Sequence, residues 1–396
     1  MKQLFVILIV CIISSAQAFC GFYVGKADSQ LFNEASKVII ARDGNRTVLS
    51  MANDYRGELS EFALVVPIPY VFDQSQIQVG NISIFDRIDA YSAPRLVEYF
   101  DNNPCPIYME YNVPPGPPGP AGALSIDSVI TTFVPMVTVE ASFSVGEYDI
   151  LILSAEEATG LETWLLQNDY NIPEGATEIF NGYIDAGMKF FVARVNVDVV
   201  NAGDSVLLRP LVMAFESAEL MLPIQLGTVN AAGKQDLIVF LLSPEGRIVT
   251  DNYPVVDIPS EVNLPGYIDD TFTDFYVSMF DTLADRAQYE SGIVFLEHAW
   301  DMSWCDPCAA NPLNNRELLQ AGVFWNEVEV YSPPSPRVVS PNSSFAPLTF
   351  SFGTPSTPPN VYLTRLHLRY DRESHPEDLR FRVTDNRENF QGRYIL

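Results

Sequence analysis

Met1-Lys2-Gln3 stands ahead of an unbroken apolar run from Leu4 to Ile13, which ends at Ser14-Ser15-Ala16-Gln17-Ala18. A short positive start, an apolar core and an Ala-x-Ala site are the three parts of a secretory leader. The run is well short of the roughly 20 apolar residues that a membrane span needs. This feature constrains the fold most, because a chain that folds outside the cytoplasm can build disulfides into its framework. Cleavage after Ala18 leaves Phe19-Cys20 at the new N-terminus. Acylation of Cys20 would call for a small residue before it, and Phe19 is large. The expected location is therefore exported: periplasmic, cell-envelope or secreted. No later stretch is long and apolar enough to span a bilayer, so no membrane span is expected in the mature chain.

Cys11 departs with the leader, and Cys20, Cys105, Cys305 and Cys308 remain. Four cysteines allow three pairings. The expected bridges are Cys20–Cys105 and Cys305–Cys308. The first ties the N-terminus to a distant segment and is worth roughly 3–5 kcal/mol in the loop-entropy model. Formal net charge is −27, a balance that repels nucleic acid and anionic lipid. A hydrophobic fraction of 47% and an aromatic fraction of 12% supply a large core and exclude a disordered chain.

Strand-like runs dominate the sequence. Lys37–Arg42 and Thr47–Met51 flank a turn at Asp43-Gly44-Asn45, a hairpin pattern. Glu61–Val66 reads as a buried strand closed by Pro67 and Pro69, and Ala93–Phe100 has helical spacing. Tyr148–Leu153 reads as a buried strand. Ser154 and Glu157 form a capping-box pair that opens a helix to about Gln167. A second helix is expected from Pro173 to about Gly187. Strands follow at Lys189–Val199, Val206–Phe215, Leu220–Leu226 and Asp236–Leu242. Asp269–Tyr289 carries the longest helical pattern, with Phe272, Phe275, Tyr276, Met279, Phe280 and Leu283 on one face, a packing stripe. The implied fold class is α+β and β-rich, with mixed or antiparallel sheets, a few packed helices and disulfide bridges. The parts are a leader (1–18), an N-terminal β-rich part (19–112), a stiff Pro/Gly loop (113–122), a central α+β part (123–245) and a C-terminal part (246–396). They compose separate subdomains or one continuous unit from 19 to 396. The Gly-every-third pattern in the loop has too few triplets for a triple helix.

Chemistry-bearing residues concentrate near two places. Trp304-Cys305-Asp306-Pro307-Cys308 follows the strand-like Ile293–Leu296 and resembles the thioredoxin-type redox motif, in which a depressed thiol pKa activates the first cysteine. Pro312 interrupts the helix that such a motif needs, and the next helix is expected only from beyond Asn311 to about Gln320. A structural bridge is the favoured reading of Cys305 and Cys308, with a redox pair as the alternative. His298 and Asp301 with the two cysteines have the donor types for zinc, but oxidation competes for the thiols and no second Cys-x-x-Cys exists. No metal or cofactor is therefore expected. Elsewhere, Thr364–Asp371 alternates so that Arg365, His367 and Arg369 share one strand face. That face is either neutralised by the acidic body or forms an anion site of guanidinium forks. From Val361 onward seven arginines stand against six acids, unlike the rest of the chain. No nucleophile elbow, metalloprotease helix, phosphate loop or dinucleotide fingerprint is present.

Several ordered motifs resemble a bacterial family catalogued as domain of unknown function 2330. They are Cys20–Val24, Glu61–Pro67, Ser92–Phe100 with Cys105 beyond, Ala299–Cys308, Thr364–Asp371 and the closing Asn389–Tyr394. The resemblance covers nearly the whole mature chain and implies an exported, often envelope-associated protein with no assigned activity. Some relatives carry a C-terminal membrane anchor, a feature not read in this chain. Together these readings point to an envelope or secreted module, structural or binding, with its partner unknown and an envelope-associated protein as the candidate. The alternative is a thiol–disulfide oxidoreductase using Cys305 and Cys308.

Overall fold

The hairpin expected around Asp43 is present in the computed structural model. Ser36–Asp43 and Arg46–Ala52 pair antiparallel across a two-residue loop, with Asp43 opposite Arg46. Gly44 opens that loop at φ +54°, the left-handed conformation that this kind of tight hairpin asks of a glycine. The structure describes residues 22–25, 32–33, 36–52, 55–56, 62–98, 137–168, 170, 172, 175–196, 208–229, 233–287, 292–304, 310–326 and 360–396. The leader, the Pro/Gly loop and all four mature cysteines lie outside these residues.

Strands of the two large sheets, along the chain, are Phe22–Gly25 (β1), Ser36–Asp43 (β2), Arg46–Ala52 (β3), Phe62–Ile68 (β4), Ile77–Val79 (β5), Val137–Val145 (β6) and Tyr148–Ala155 (β7). They continue with Lys189–Val195 (β8), Leu211–Glu216 (β9), Gln235–Ser243 (β10), Val255–Asp257 (β11), Val294–Asp301 (β12), Tyr362–Tyr370 (β13) and Phe390–Gln391 (β14). The helices are Ser83–Ser92 (α1), Ala158–Gln167 (α2), Ala176–Asp185 (α3), Gln225–Val229 (α4), Phe272–Ala287 (α5) and Asn315–Gln320 (α6). One sheet has the order β1-β4-β8-β7-β6 and is antiparallel throughout. The other runs β11-β12-β13-β10-β2-β3-β9-β5, with β14 added to β12. It is mixed, because β10 pairs parallel with β2 and β11 parallel with β12. Short sheets join Leu220–Leu222 to Leu379–Val383 and Arg95–Val97 to Arg393–Ile395.

Strand alternation sorts the apolar side chains into layers. Leu64, Ile150 and Phe191 of the first sheet meet Val38, Leu237, Leu296 and Leu366 of the second in one inter-sheet core. The outer face of the first sheet buries Val65, Leu153 and Val192 under Leu161, Trp164, Phe180 and Tyr183 of α2 and α3. The outer face of the second buries Ile39, Phe240 and Leu363 under α1 and α6, while Phe295 packs against Phe280 and Ala284 of α5. The order is helices, sheet, sheet, helices: an α+β, β-rich fold with mixed and antiparallel sheets.

Local boundaries depart from expectation where a neighbour decides them. Arg95–Val97 is a short strand and the helix is α1, which ends at Ser92. Pro94 forces Ala93 out of the helical region, and Ala93 is extended at ψ 146°. β4 runs through Pro67 to Ile68, and Pro67 and Ile68 pair with Phe190 and Lys189 of β8. α2 begins at Ala158 after Glu157, whose side chain makes no cap; Ser154 belongs to β7. The strand expected to run on to Leu226 stops at Leu222, and α4 follows it.

Candidate functional site: a buried ionic face beneath two helices

On β13, Tyr362, Leu366, Leu368 and Tyr370 point into the inter-sheet core. Alternation turns Leu363, Arg365, His367 and Arg369 the other way, towards α1 and α5. The three expected basic residues therefore share one face, and all three are engaged by carboxylates of the chain itself. Arg365 donates from Nε to Glu297 at 2.5 Å and from a terminal nitrogen to Asp89, which also pairs with Lys37 at 2.7 Å. His367 Nδ1 lies 2.6 Å from Glu297, and its Nε2 lies 3.6 Å from Asp236. Arg369 grips Asp236 with Nε and a terminal nitrogen, both at 2.8 Å, and reaches Asp281 of α5 with the other. The Tyr276 hydroxyl of α5 donates to Glu297 at 2.5 Å. An external anion would have to displace one of these carboxylates.

The central carboxylate owes its place to a β-bulge. Phe295 pairs with His367 and Leu296 with Leu366, but the next partner of β13, Arg365, faces His298. Glu297 is the extra residue, so Glu297 and His298 both turn to the helix side before Ala299 returns to the inter-sheet core. The Gly392 N–H caps the bulge, donating to the Glu297 carbonyl at 2.8 Å. A Cβ at Gly392 would lie 2.5 Å from the Cδ1 tip of Ile258 and 3.3 Å from the Glu297 carbonyl, so a larger residue there would have to move the Ile258 side chain. Sequence reasoning missed Glu297, Asp89, Asp236, Asp281 and Tyr276 as members of this face. The doublet Glu297-His298 inside an apolar strand was the available signal.

Electrostatics follow from the packing. Burial alone pushes the Glu297 carboxyl up. The charges of His367 and Arg365, with hydrogen bonds from His367 and Tyr276, overturn that and hold it far below the usual carboxylate range. Burial alone lowers His367, but Glu297 and Asp236 raise it to about 8. The Tyr276 phenol is pushed far up by burial and by Glu297. Phe280 stacks on His367 with centroids 3.9 Å apart and planes within 10°, and the Arg369 guanidinium lies 5.2 Å from the same ring.

His298 is separate from this circuit. It is 3% exposed, meets Tyr91 edge-on at 5.4 Å, and stacks on Trp300 at 6.3 Å. Burial, then Arg95 and Arg365, lower it to about 3, so it is neutral near pH 7. Asp301 pairs with Arg387 at 2.5 Å and accepts from the Ser303 N–H. Among the described residues no group of three or more His, Cys, Asp or Glu side chains is arranged to hold a metal ion. Cys305 and Cys308 lie outside the described residues, beyond the half-exposed Trp304. No described helix is long and apolar enough to cross a membrane.

A family model described as an uncharacterized protein conserved in bacteria, DUF2330, matches residues 14–382. The chain belongs to this family. The DUF2330 match spans the bulge, β13 and the strands of both sheets except β14, while Asn389–Tyr394, with its Gly392 cap, lies past its end. No curated protein and no solved structure matches the chain.

Proposed function

We propose that this DUF2330 protein is an exported module of the bacterial envelope or its exterior, structural or binding rather than catalytic. In this reading its fold is closed by Cys20–Cys105 and Cys305–Cys308. The observation that carries the proposal is the use made of the β13 cations. Arg365, His367 and Arg369 are spent on Glu297, Asp89, Asp236 and Asp281, which joins β13 to β12, β10, α1 and α5. Strongly shifted groups of this kind can mark either catalysis or structural ion pairing, and internal saturation favours pairing. The leader and the even cysteine count support export and bridging. A chain of formal net charge −27 suits a partner with a basic or polar face.

The test is fractionation of the full-length protein in a bacterial host, followed by peptide mapping without reduction. The expected outcome is cleaved, exported protein with both linked peptides and no free thiol. The Cys305–Cys308 couple should titrate below about −300 mV, as structural disulfides do. A couple in the range of about −270 to −120 mV that turns over a disulfide substrate would establish the oxidoreductase instead.

A further inference from the structure

Helix α5 buries little of itself. Phe280 and Ala284 are buried, whereas Val277 is 50% exposed. Its other anchors form two sets. Phe272, Phe275 and Tyr276 ring the buried Tyr394, whose hydroxyl donates to the Met279 sulfur. A second set converges on one imidazole. Phe280 stacks on His367, Tyr276 donates to the Glu297 carboxylate that also holds His367 Nδ1, and Asp281 accepts from Arg369. Arg369 in turn shares Asp236 with His367 Nε2.

We infer that α5 is a proton-gated cover: its docking on the sheet requires protonated His367, and loss of that proton frees the helix while the two-sheet core stays folded. The groups facing His367 come from every element around it. Glu297 comes from β12, Asp236 from β10, Arg365 and Arg369 from β13, and Tyr276 and Asp281 from α5. Asp89 of α1 and Lys37 of β2 join through Arg365. With His367 charged, Lys37, Arg365, His367 and Arg369 balance Asp89, Asp236, Glu297 and Asp281. Deprotonation leaves this covered face with an uncompensated negative charge, which a low-dielectric site tolerates poorly. The strands are held by backbone ladders and by the inter-sheet core on their other face. α5 is held by side chains, so it gives way first. The carboxylates that raise His367 place the transition in the mildly alkaline range.

Hydrogen exchange of the full-length protein between about pH 6.5 and 9.5, corrected for intrinsic rates, tests it alongside NMR titration of His367. Peptides from 272–287 should lose protection about tenfold or more, with a midpoint that follows His367, while β10 and β13 peptides stay unchanged. His367→Gln should leave α5 unprotected at every pH. Asp236→Asn keeps the imidazole and should move the midpoint down, so it serves if the first variant does not fold. α5 protection that stays flat through the His367 titration, or that falls together with β10 and β13, would overturn the inference. An unmoved midpoint in Asp236→Asn would do so too.

Discussion

At the residue scale the molecule turns on a few buried charges whose worth lies in being paired. The Glu297 side chain is fully buried and that of Arg365 is 6% exposed. Replacing one member therefore strands the other in a site that water cannot reach. Arg365→Met should cost about 3–5 kcal/mol in denaturant unfolding, and combining it with Glu297→Gln should cost less than the two changes summed. A double variant with fully additive losses would show that the pair is not coupled. The histidines divide by sign. His298 and His375 are lowered to about 3 and about 4, chiefly by burial, so the unfolded chain binds protons that the fold does not. Their contribution is complete above about pH 6.5 and lost as pH falls towards those values, with a slope of up to about 1.4 kcal/mol per pH unit for each. His367 is raised to about 8, so its contribution is complete below about pH 6.5 and lost as pH rises through 8. Stability measured against pH should fall on both sides. His298→Gln should make the acid limb shallower, with His375 still contributing, and leave the alkaline one.

At the element scale, short helices survive where caps and neighbours support them. α6 has only six residues, and Asn314 caps it by accepting from the Arg316 and Glu317 N–H groups at 3.0 and 3.1 Å. Glu317 returns the favour to the Asn314 N–H at 2.8 Å and also pairs with Arg87 of α1 at 3.0 Å. Asn314→Ala should cost about 1 kcal/mol, read as a lower thermal midpoint. An unchanged midpoint would mean that Leu318, packed in the core beneath α1, holds the turn without its cap. The same scale explains the boundary errors. Periodicity finds an apolar face, but Pro94 closed α1 at Ser92 and pairing with β8 carried β4 through Pro67. Neither local composition nor spacing says which side of a strand has a neighbour.

At the scale of the whole molecule, two sheets share one core and each carries helices on its outer face. The alternation in β2, β3, β7, β8 and β13 was legible in the sequence because a strand's period is a local property of the chain. The same rule placed Arg365, His367 and Arg369 on one face before any fold was known. What lay across from that face was not legible. Asp89, Asp236, Asp281 and Glu297 are spread over the chain, and only pairing of β13 with β10 and β12, under α1 and α5, brings them together. The β-bulge is a further tertiary decision. Its register shift depends on β13 alongside and on Gly392 donating from the closing strand. By itself the sequence determined the β-rich class, the strand faces and the family, since periodicity and ordered motifs are carried along the chain. Tertiary structure decided that the basic face is paired, buried and bound to α5, because charge pairing at a few ångströms is a property of neighbours in space.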